Sequence, residues 1–201
     1  MIQGTTNIVF DFGGVLVKHD KEGCLHDLRQ LLSDEGITNV LGFGNDKDDT
    51  LRARFEIGAC GTRYFLEHVL KLCKSGTTEQ QVIDAWNKIH AGIPNEAWNT
   101  IKDLRSQGYR IYLMSNTDEI HWQHTLLLYR QQIENLFDGV FLSFELGLAK
   151  PTEAFFRHVA NALNEGQTIF VDDMEDNRLA AQQFVGWQTC ASIEVLKELL
   201  K

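Results

Sequence analysis

The segment Ile8-Val9-Phe10-Asp11-Phe12-Gly13-Gly14-Val15-Leu16 places one carboxylate directly after three apolar residues and just before two glycines. The apolar run predicts a short buried strand, so Asp11 is expected at the carboxyl end of that strand. Parallel α/β proteins bind their ligands beyond the carboxyl ends of their strands. The segment therefore indicates an α/β fold with Asp11 at its functional edge.

Strand and helix patterns alternate along the chain from residue 94 onward. Further strands are predicted at residues 111–114, 140–142, 168–171 and, more weakly, 189–191. Apolar residues at helical spacing fill the intervals between them. One of these helices is expected to start at Pro151 and end at Gly166, and another to span residues 179–184. Repeated strand and helix units predict a parallel sheet with right-handed crossovers.

The stretch from residue 18 to residue 93 breaks this alternation. It carries four groups of apolar residues at helical spacing. Thr78 and Gln81 fit a helix-capping box, and Gly36 and Gly76 fit helix ends. These signals predict several short helices and no strand.

Such a stretch is too long for an ordinary connection between a strand and a helix. It follows the first predicted strand directly, so we expect it to cover Asp11 as a cap. The predicted domains are a core formed by residues 1–17 and 94–201 and a helical cap formed by residues 18–93.

Composition and charge argue against several classes of function. The chain has 201 residues, a formal net charge of −9 and a pI near 5.2, and it contains no dense block of Lys and Arg. We therefore expect a small-molecule partner and no nucleic acid. Residues 1–6 have no basic flank, and the next apolar run is too short for a signal peptide or a membrane span. A cytoplasmic protein without a membrane partner is expected.

Three later segments also bring polar residues close behind apolar runs: Ser115-Asn116, Lys150-Pro151 and Asp172-Asp173. Two adjacent carboxylates after a buried strand repel each other unless a cation offsets their charge, and hard oxygen ligands suit Mg²⁺. Ser115 and Asn116 can present a hydroxyl and backbone amides to an anion, or can cap a helix, and both uses can hold at once. Lys150 supplies a cation that would balance clustered negative charge.

The ordered set of segments resembles the four motifs of the haloacid dehalogenase superfamily over essentially the whole chain. The matching stretches are Asp11-Phe12-Gly13-Gly14-Val15-Leu16, Leu113-Met114-Ser115-Asn116, Gly147-Leu148-Ala149-Lys150-Pro151 and Phe170-Val171-Asp172-Asp173-Met174-Glu175-Asp176-Asn177. The likeness is to the small members typified by bacterial glucose-1-phosphate phosphatase, in which a helical cap follows the first motif. It implies a Rossmann-like parallel sheet core flanked by helices, with an inserted all-helical cap.

The same resemblance implies a role for each residue of the set. Asp11 would attack phosphorus and form an aspartyl phosphate that water hydrolyses, with Lys150 as a second catalytic residue. The residues implied to bind the phosphoryl group are Phe12, Gly13, Ser115, Asn116 and Lys150. The implied ligands of Mg²⁺ are Asp11, the backbone carbonyl of Gly13 and Asp173, with Asp172 supporting them directly or through water.

Gly13 departs from the commoner pattern of the superfamily, in which an aspartate at this position acts as general acid and then as general base. Three interpretations follow: a leaving group that needs little help, a substitute acid nearby, or lost activity. His19 and Asp20 are the nearest candidates for a substitute. Asp20 also fits the N-cap of a helix that begins near Lys21.

The predicted function is a Mg²⁺-dependent phosphatase that acts on a small phosphorylated metabolite such as a sugar phosphate. Two alternatives are a metal-independent 2-haloacid dehalogenase and a phosphate-ligand binder without turnover. The paired aspartates favour the phosphatase, because the dehalogenases of the superfamily lack them.

Substrate choice is expected to depend on the cap. Its polar and aromatic candidates are Arg52, Arg54, Glu56, Tyr64, Trp86 and His90. Helical spacing assigns Trp86 to a packed face, whereas Glu56 could face the site. Asp176 is expected either to reach the metal shell or to act as an acid at a helix N-terminus.

Overall fold

Five parallel strands form one sheet in the computed structural model, which describes residues 7–41 and 50–201. The strands are β1 (Asn7–Phe10), β2 (Arg110–Ser115), β3 (Gly139–Leu142), β4 (Thr168–Val171) and β5 (Gln188–Cys190). Their order is β3-β2-β1-β4-β5, so β1 lies in the centre with β2 and β4 beside it. The predicted fold class is confirmed. Residues 1–6 of the predicted core and 42–49 of the predicted cap lie outside the described residues.

Helices flank this sheet, and further helices form the insert, which is the segment of residues 18–93 that follows β1. The insert contains α1 (Lys21–Leu31), α2 (Asp34–Leu41), α3 (Leu51–Glu56), α4 (Thr62–Leu72) and α5 (Glu79–Asn87). After it come α6 (Asn95–Ser106), α7 (Glu119–Leu136), α8 (Ser143–Leu146), α9 (Glu153–Ala162), α10 (Glu175–Val185) and α11 (Ile193–Leu199). In the part of the chain that the structure describes, no helix has both the length and the apolar character needed to cross a membrane.

The central strand β1 is buried on both of its faces. Ile8, Val9 and Phe10 have no exposed surface. Successive strand residues point to opposite faces of a sheet. Accordingly, Ile8 belongs to the hydrophobic cluster that contains Ile101 of α6, whereas Val9 belongs to the cluster that contains Phe155 of α9. Burial on both faces explains why the strand is a continuous apolar run in the sequence.

The helices of the insert form a hydrophobic cluster, to which Ile120 of α7 also contributes. Phe55, Phe65 and Trp86 are buried in it, and the rings of Phe55 and Phe65 stack with their centroids 4.2 Å apart. The capping box predicted at Thr78 and Gln81 is confirmed at the start of α5. The apolar stripes in the sequence therefore mark the faces by which these helices pack together.

Gly36 lies inside α2, so the prediction that it ends a helix is wrong. A Cβ at Gly36 would lie 3.3 Å from the carbonyl oxygen of Leu72 and 3.3 Å from a methyl carbon of Leu32. The glycine therefore allows close packing of α2 against the ends of α1 and α4.

Two helices near the predicted site begin or end at residues other than those that the sequence predicts. α9 begins at Glu153, shortly after Pro151, and ends at Ala162, well before Gly166. α10 begins at Glu175, ahead of the start expected at residue 179, so it includes more of the fourth motif. The short helix α8 was not predicted, because four residues cannot display a helical period.

Candidate active site

The residues that follow β1 and β4 meet at one edge of the sheet. Phe10, the last residue of β1, pairs with Leu113 of β2 on one side and with Val171 of β4 on the other. Because the parallel strands end side by side, Asp11 and Asp172 reach the same edge. The sheet order thus joins segments that are far apart in the chain.

Lys150 lies between two buried carboxylates. Its Nζ is 2.7 Å from Asp11 Oδ1 and 2.7 Å from Asp172 Oδ2. Burial alone would lower the pKa of Lys150, but the charges of Asp11 and Asp172 outweigh this effect and raise that pKa above its usual range. The lysine is therefore protonated and holds both carboxylates in place.

The two oxygens of Asp11 have different environments. Oδ1 accepts a hydrogen bond from the backbone N–H of Phe12 at 2.6 Å and pairs with Lys150. No donor from residues 7–41 or 50–201 reaches Oδ2. Burial raises the pKa of Asp11 to about 6, with Lys150 opposing the shift and Asp172 adding to it. The site is therefore short of positive charge.

Asp11, Asp172 and Asp173 form a cluster of three carboxylates, with one oxygen from each within 4.8 Å of the others. Asp173 can approach because Gly14 has a φ of +79° and no side chain, and a Cβ there would lie 2.6 Å from Asp173 Oδ2. Three carboxylates and the one ammonium of Lys150 leave two formal negative charges. The cluster therefore suits a hard divalent cation.

The two adjacent aspartates differ in their surroundings. Asp172 is fully buried, accepts a hydrogen bond from the backbone N–H of Met174 at 2.8 Å, and accepts from Asn177 Nδ2 on both oxygens. Asp173 is exposed, and no donor among the described residues reaches its carboxylate. Asp172 is therefore fixed by the protein, whereas Asp173 is available to a ligand. No role was predicted for Asn177. Its position in the first turn of the helix that follows the aspartate pair is the sequence feature that could have indicated a contact with Asp172.

Ser115 and Asn116 do not cap α7, so that interpretation of them is wrong. The N-cap is Asp118, whose side chain accepts a hydrogen bond from the backbone N–H of His121. Asn116 instead bridges to Lys150: its Nδ2 donates to the Lys150 carbonyl at 2.9 Å, and its Oδ1 accepts from the Lys150 backbone N–H at 2.8 Å. Asn116 thereby fixes the loop that carries the lysine.

A cavity of about 490 Å³ opens over Asp11. The predicted site residues that line it are Asp11, Phe12, Gly13, Ser115, Asn116, Lys150 and Asp173. The insert contributes Arg52, Glu56, Trp86 and His90 to the wall, and Arg52 pairs with Glu56 at 2.7 Å. Arg54 and Tyr64 do not line this cavity, and the Arg54 guanidinium lies over the Tyr64 ring.

A polar cluster beside the cavity was missed by the sequence analysis. Asp118 Oδ2 accepts a hydrogen bond from the indole Nε1 of Trp86 at 2.9 Å and lies 2.8 Å from His121 Nδ1. Burial alone would lower the pKa of His121 and raise that of Asp118, but their mutual attraction reverses both shifts. The available signal was Asp118 itself, because aspartate ahead of a helical stripe is typical of an N-cap.

Comparison with known families settles the class of the protein. The model of the haloacid dehalogenase-like hydrolases matches residues 5–184. The chain belongs to this family. The resemblance inferred from the four motifs is confirmed, and the protein is a hydrolase.

Three known proteins are similar to this haloacid dehalogenase-like hydrolase. A D-ribitol-5-phosphate phosphatase of Bacteroides thetaiotaomicron is 26% identical over 179 residues, which cover 85% of this chain and 84% of that protein. A sesquiterpene phosphatase of Aspergillus oryzae is 32% identical over 103 residues, which cover 49% of this chain and only 52% of that protein. A haloacid dehalogenase family enzyme of Bacteroides thetaiotaomicron in complex with magnesium and inorganic phosphate has a TM-score of 0.80 and 28% identity over 93% of each chain.

Asp20 and Asp176 lie at helix N-termini in this hydrolase. Asp20 is the N-cap of α1 and accepts a hydrogen bond from the backbone N–H of Gly23 at 2.8 Å, as the sequence predicts. Asp176 lies in the first turn of α10 and lines the cavity, but it is not one of the three clustered carboxylates.

Proposed function

We propose that this hydrolase is a Mg²⁺-dependent phosphatase that acts on a small phosphorylated metabolite of the sugar-phosphate class, through an aspartyl phosphate on Asp11. The observation that carries the proposal is the arrangement of Asp11. One of its oxygens is held by Lys150 and Phe12, while the other has no donor among the described residues and shares a cavity with Asp173. Two relatives named as phosphatases, and a third in complex with magnesium and phosphate, support it.

Asp11 Oδ2 is the proposed nucleophile. It attacks phosphorus while the ester bond to the leaving oxygen breaks, which gives an aspartyl phosphate and an alkoxide that takes up a proton and leaves as the alcohol. Water then attacks the same phosphorus, the bond between phosphorus and Asp11 Oδ2 breaks, and inorganic phosphate leaves with the carboxylate of Asp11 restored. Lys150 orients Asp11 through Oδ1 and reduces the repulsion between this carboxylate and the phosphoryl oxygens.

The proposed ligands of Mg²⁺ are Asp11, the backbone carbonyl of Gly13 and Asp173, with Asp172 supporting them. The excess of carboxylates over ammonium groups supports this assignment. Asp172 fits a supporting role because Lys150 and Asn177 already bind its oxygens. When bound, Mg²⁺ would offset the charge of the phosphoryl oxygens.

The proposed phosphate site consists of Gly13, Ser115 and Lys150, with Phe12 and Asn116 in supporting roles. The N–H of Phe12 already donates to Asp11, so we infer that Phe12 orients the nucleophile. Asn116 is engaged with the backbone of Lys150, so it fixes the loop that carries the ammonium.

We also propose that residues 1–17 and 94–201 form the core domain and residues 18–93 the cap domain. The hydrophobic cluster of the insert supports this division, because all of its members except Ile120 lie in residues 18–93. The cavity wall includes residues of both segments, which fits a cap that selects the leaving group.

The test is phosphate release from a panel of sugar phosphates, nucleotides and aryl phosphates, with Mg²⁺ or with a chelator, by wild type and Asp11→Asn. We expect chelator-sensitive phosphate release that Asp11→Asn lowers by at least about 10³-fold, because the nucleophile is lost. Asp103→Asn, a change at an exposed position of α6, is the matched control and should retain the wild-type rate.

The same assay distinguishes the alternatives. Halide release from 2-haloacids that persists in chelator would identify a dehalogenase. Binding of a phosphate analogue without turnover of any ester would identify a ligand binder. Undiminished turnover by Asp11→Asn would exclude Asp11 as the nucleophile.

A further inference from the structure

The space beside Gly13 is filled by the imidazole of His19. A Cβ at Gly13 would lie 2.5 Å from His19 Nε2 and 2.6 Å from His19 Cε1. The backbone of Gly13 does not have a positive φ, so its conformation does not require glycine. Glycine at position 13 therefore makes room for a side chain that reaches the site from another part of the chain.

The backbone on both sides of His19 is anchored. Lys18 N–H donates to the carbonyl of Gly92 at 3.1 Å, and Asp20 N–H donates to the carbonyl of Ile89 at 2.9 Å. These hydrogen bonds tie the first residues of the insert to its last residues. The position of the imidazole is therefore set by the fold of the insert.

The ring of His19 also has an aromatic neighbour. It stacks on His90, with the centroids 6.4 Å apart and an interplanar angle of 17°. His90 stacks in turn on His121 at 4.6 Å. His19 is the exposed end of this series and lines the cavity above Asp11.

Two other candidate donors at the site are already engaged. Asp20, the other candidate near the first motif, is the N-cap of α1 and does not line the Asp11 cavity. The ammonium of Lys150 is held by Asp11 and Asp172. Among the described residues, and apart from the chain neighbours of Gly13, the three heavy atoms nearest to a Cβ at Gly13 all belong to the ring of His19.

We propose that His19 Nε2 donates a hydrogen bond to the leaving-group oxygen of the substrate, in place of the side chain that Gly13 lacks. The inference rests on the proposed phosphatase function and deepens it. With the phosphoryl group at Asp11 and Lys150, the rest of the substrate extends toward the cap side of the cavity. The ester oxygen joins these two parts and therefore passes beside His19.

The rate enhancement from this hydrogen bond is expected to increase with the negative charge that develops on the leaving oxygen. A sugar or alkyl oxygen is a poor leaving group and gains from a donor in the transition state. A nitrophenolate delocalises its charge and needs little help. His19 therefore widens the range of substrates toward esters of ordinary alcohols.

The test compares kcat/KM for p-nitrophenyl phosphate with kcat/KM for the best sugar phosphate of the panel, in wild type and His19→Ala. We expect His19→Ala to lower the sugar phosphate value by about 10²-fold or more and the p-nitrophenyl phosphate value by less than about tenfold. His19→Gln, whose amide can donate from a similar position, should keep part of the sugar phosphate activity. His26→Ala, at an exposed histidine of α1, is the matched control and should change neither value.

A second variant tests whether the side chains at positions 13 and 19 occupy the same space. Gly13→Asp in the His19→Ala background should restore part of the sugar phosphate activity, because the ring no longer occupies that volume. An equal loss on both substrates in His19→Ala, or no loss on either, would overturn the role of His19. No phosphate release by the wild type from any ester would instead overturn the proposed function.

Discussion

Lys150 compensates two buried carboxylates with a single ammonium. The side chains of Lys150 and Asp172 are 1% and 0% exposed, and that of Asp11 is 11% exposed. Charges removed from water are tolerated only when they are paired, and removing one partner leaves the other uncompensated. The lysine therefore contributes to folding stability as well as to the chemistry proposed for Asp11.

Replacement of Lys150 by methionine should lower the free energy of unfolding by about 3–5 kcal/mol, because Asp11 and Asp172 then repel each other in a buried site. Urea denaturation near neutral pH measures the change. Lys102→Met, at an exposed position of α6, is the matched control and should alter stability little. Equal stability of the two variants would contradict this account of the lysine.

His121 is a second buried cation, and its pairing with Asp118 makes stability depend on pH. The pKa of His121 in the folded protein is raised above its ordinary value of 6.5. A raised histidine pKa contributes stability that is fully present below pH 6.5 and is lost as pH rises through the folded value. The lowered pKa of Asp118 makes stability depend on pH only in acid, so it does not affect the change in stability above pH 6.5.

His121→Gln should therefore flatten the fall in unfolding free energy that accompanies a rise in pH above 6.5. Denaturant titrations at several pH values measure this slope. The exposed His158 is the control position, and His158→Gln should keep the wild-type slope. A wild-type protein whose stability does not fall in this range would show that His121 is not charged in the fold.

The loop between α3 and α4 packs closely against the short helix α8. The φ of Gly58 is +68°, and a Cβ there would lie under 3.0 Å from the carbonyl oxygen of Phe144. The hydroxyl of Ser143 donates a hydrogen bond to the carbonyl of Glu56 in the same contact. The insert is thus joined to the rest of the chain by close backbone packing that only glycine allows.

Gly58→Ala should destabilise the protein more than Gly147→Ala, by about 1–3 kcal/mol, because the added methyl meets backbone that cannot move aside. Gly147, at the end of α8, is a matched control: its φ is +67° and nothing lies within 4 Å of a Cβ there. Both variants bear the strain of a left-handed alanine, so their difference in urea denaturation isolates the clash. Equal losses would mean that the loop yields without cost.

The elements of this fold differ in how clearly the sequence marks them, for a physical reason. The three inner strands β1, β2 and β4 were found because a strand buried on both faces is an almost unbroken apolar run. α2 was missed because Gly36, a usual stop signal, lies inside it to permit close packing. Asp118 was overlooked because Ser115 and Asn116 lie closer to the strand end, and the length of the connection to α7 is not visible in the sequence.

For the whole molecule, the net charge of −9 affects how ions reach the site. A negative protein attracts cations over a distance set by the Debye length, which shortens as salt is added. The proposed site should therefore bind Mg²⁺ more weakly as salt is added, because salt screens this long-range attraction.

The dissociation constant of Mg²⁺ should rise several-fold between about 20 mM and about 300 mM NaCl, as calorimetry can measure. Asp173→Asn should weaken binding at both salt concentrations with little change in thermal stability without Mg²⁺, because no described donor depends on that carboxylate. Asp103→Asn should behave as wild type. An Mg²⁺ affinity that is insensitive to salt would show that the net charge has no part in cation binding.

Local patterns in the sequence determined the strands, most of the helices and the set of polar residues at the strand ends, because strand and helix periods and helix caps act over a few residues. Tertiary structure alone decided which of those residues meet. The contact of Lys150 with both Asp11 and Asp172, the bridge from Asn116 to the Lys150 loop, and the imidazole of His19 beside Gly13 depend on strand order and on the packing of the insert. Contacts between distant segments have no local period, so only the folded chain defines them.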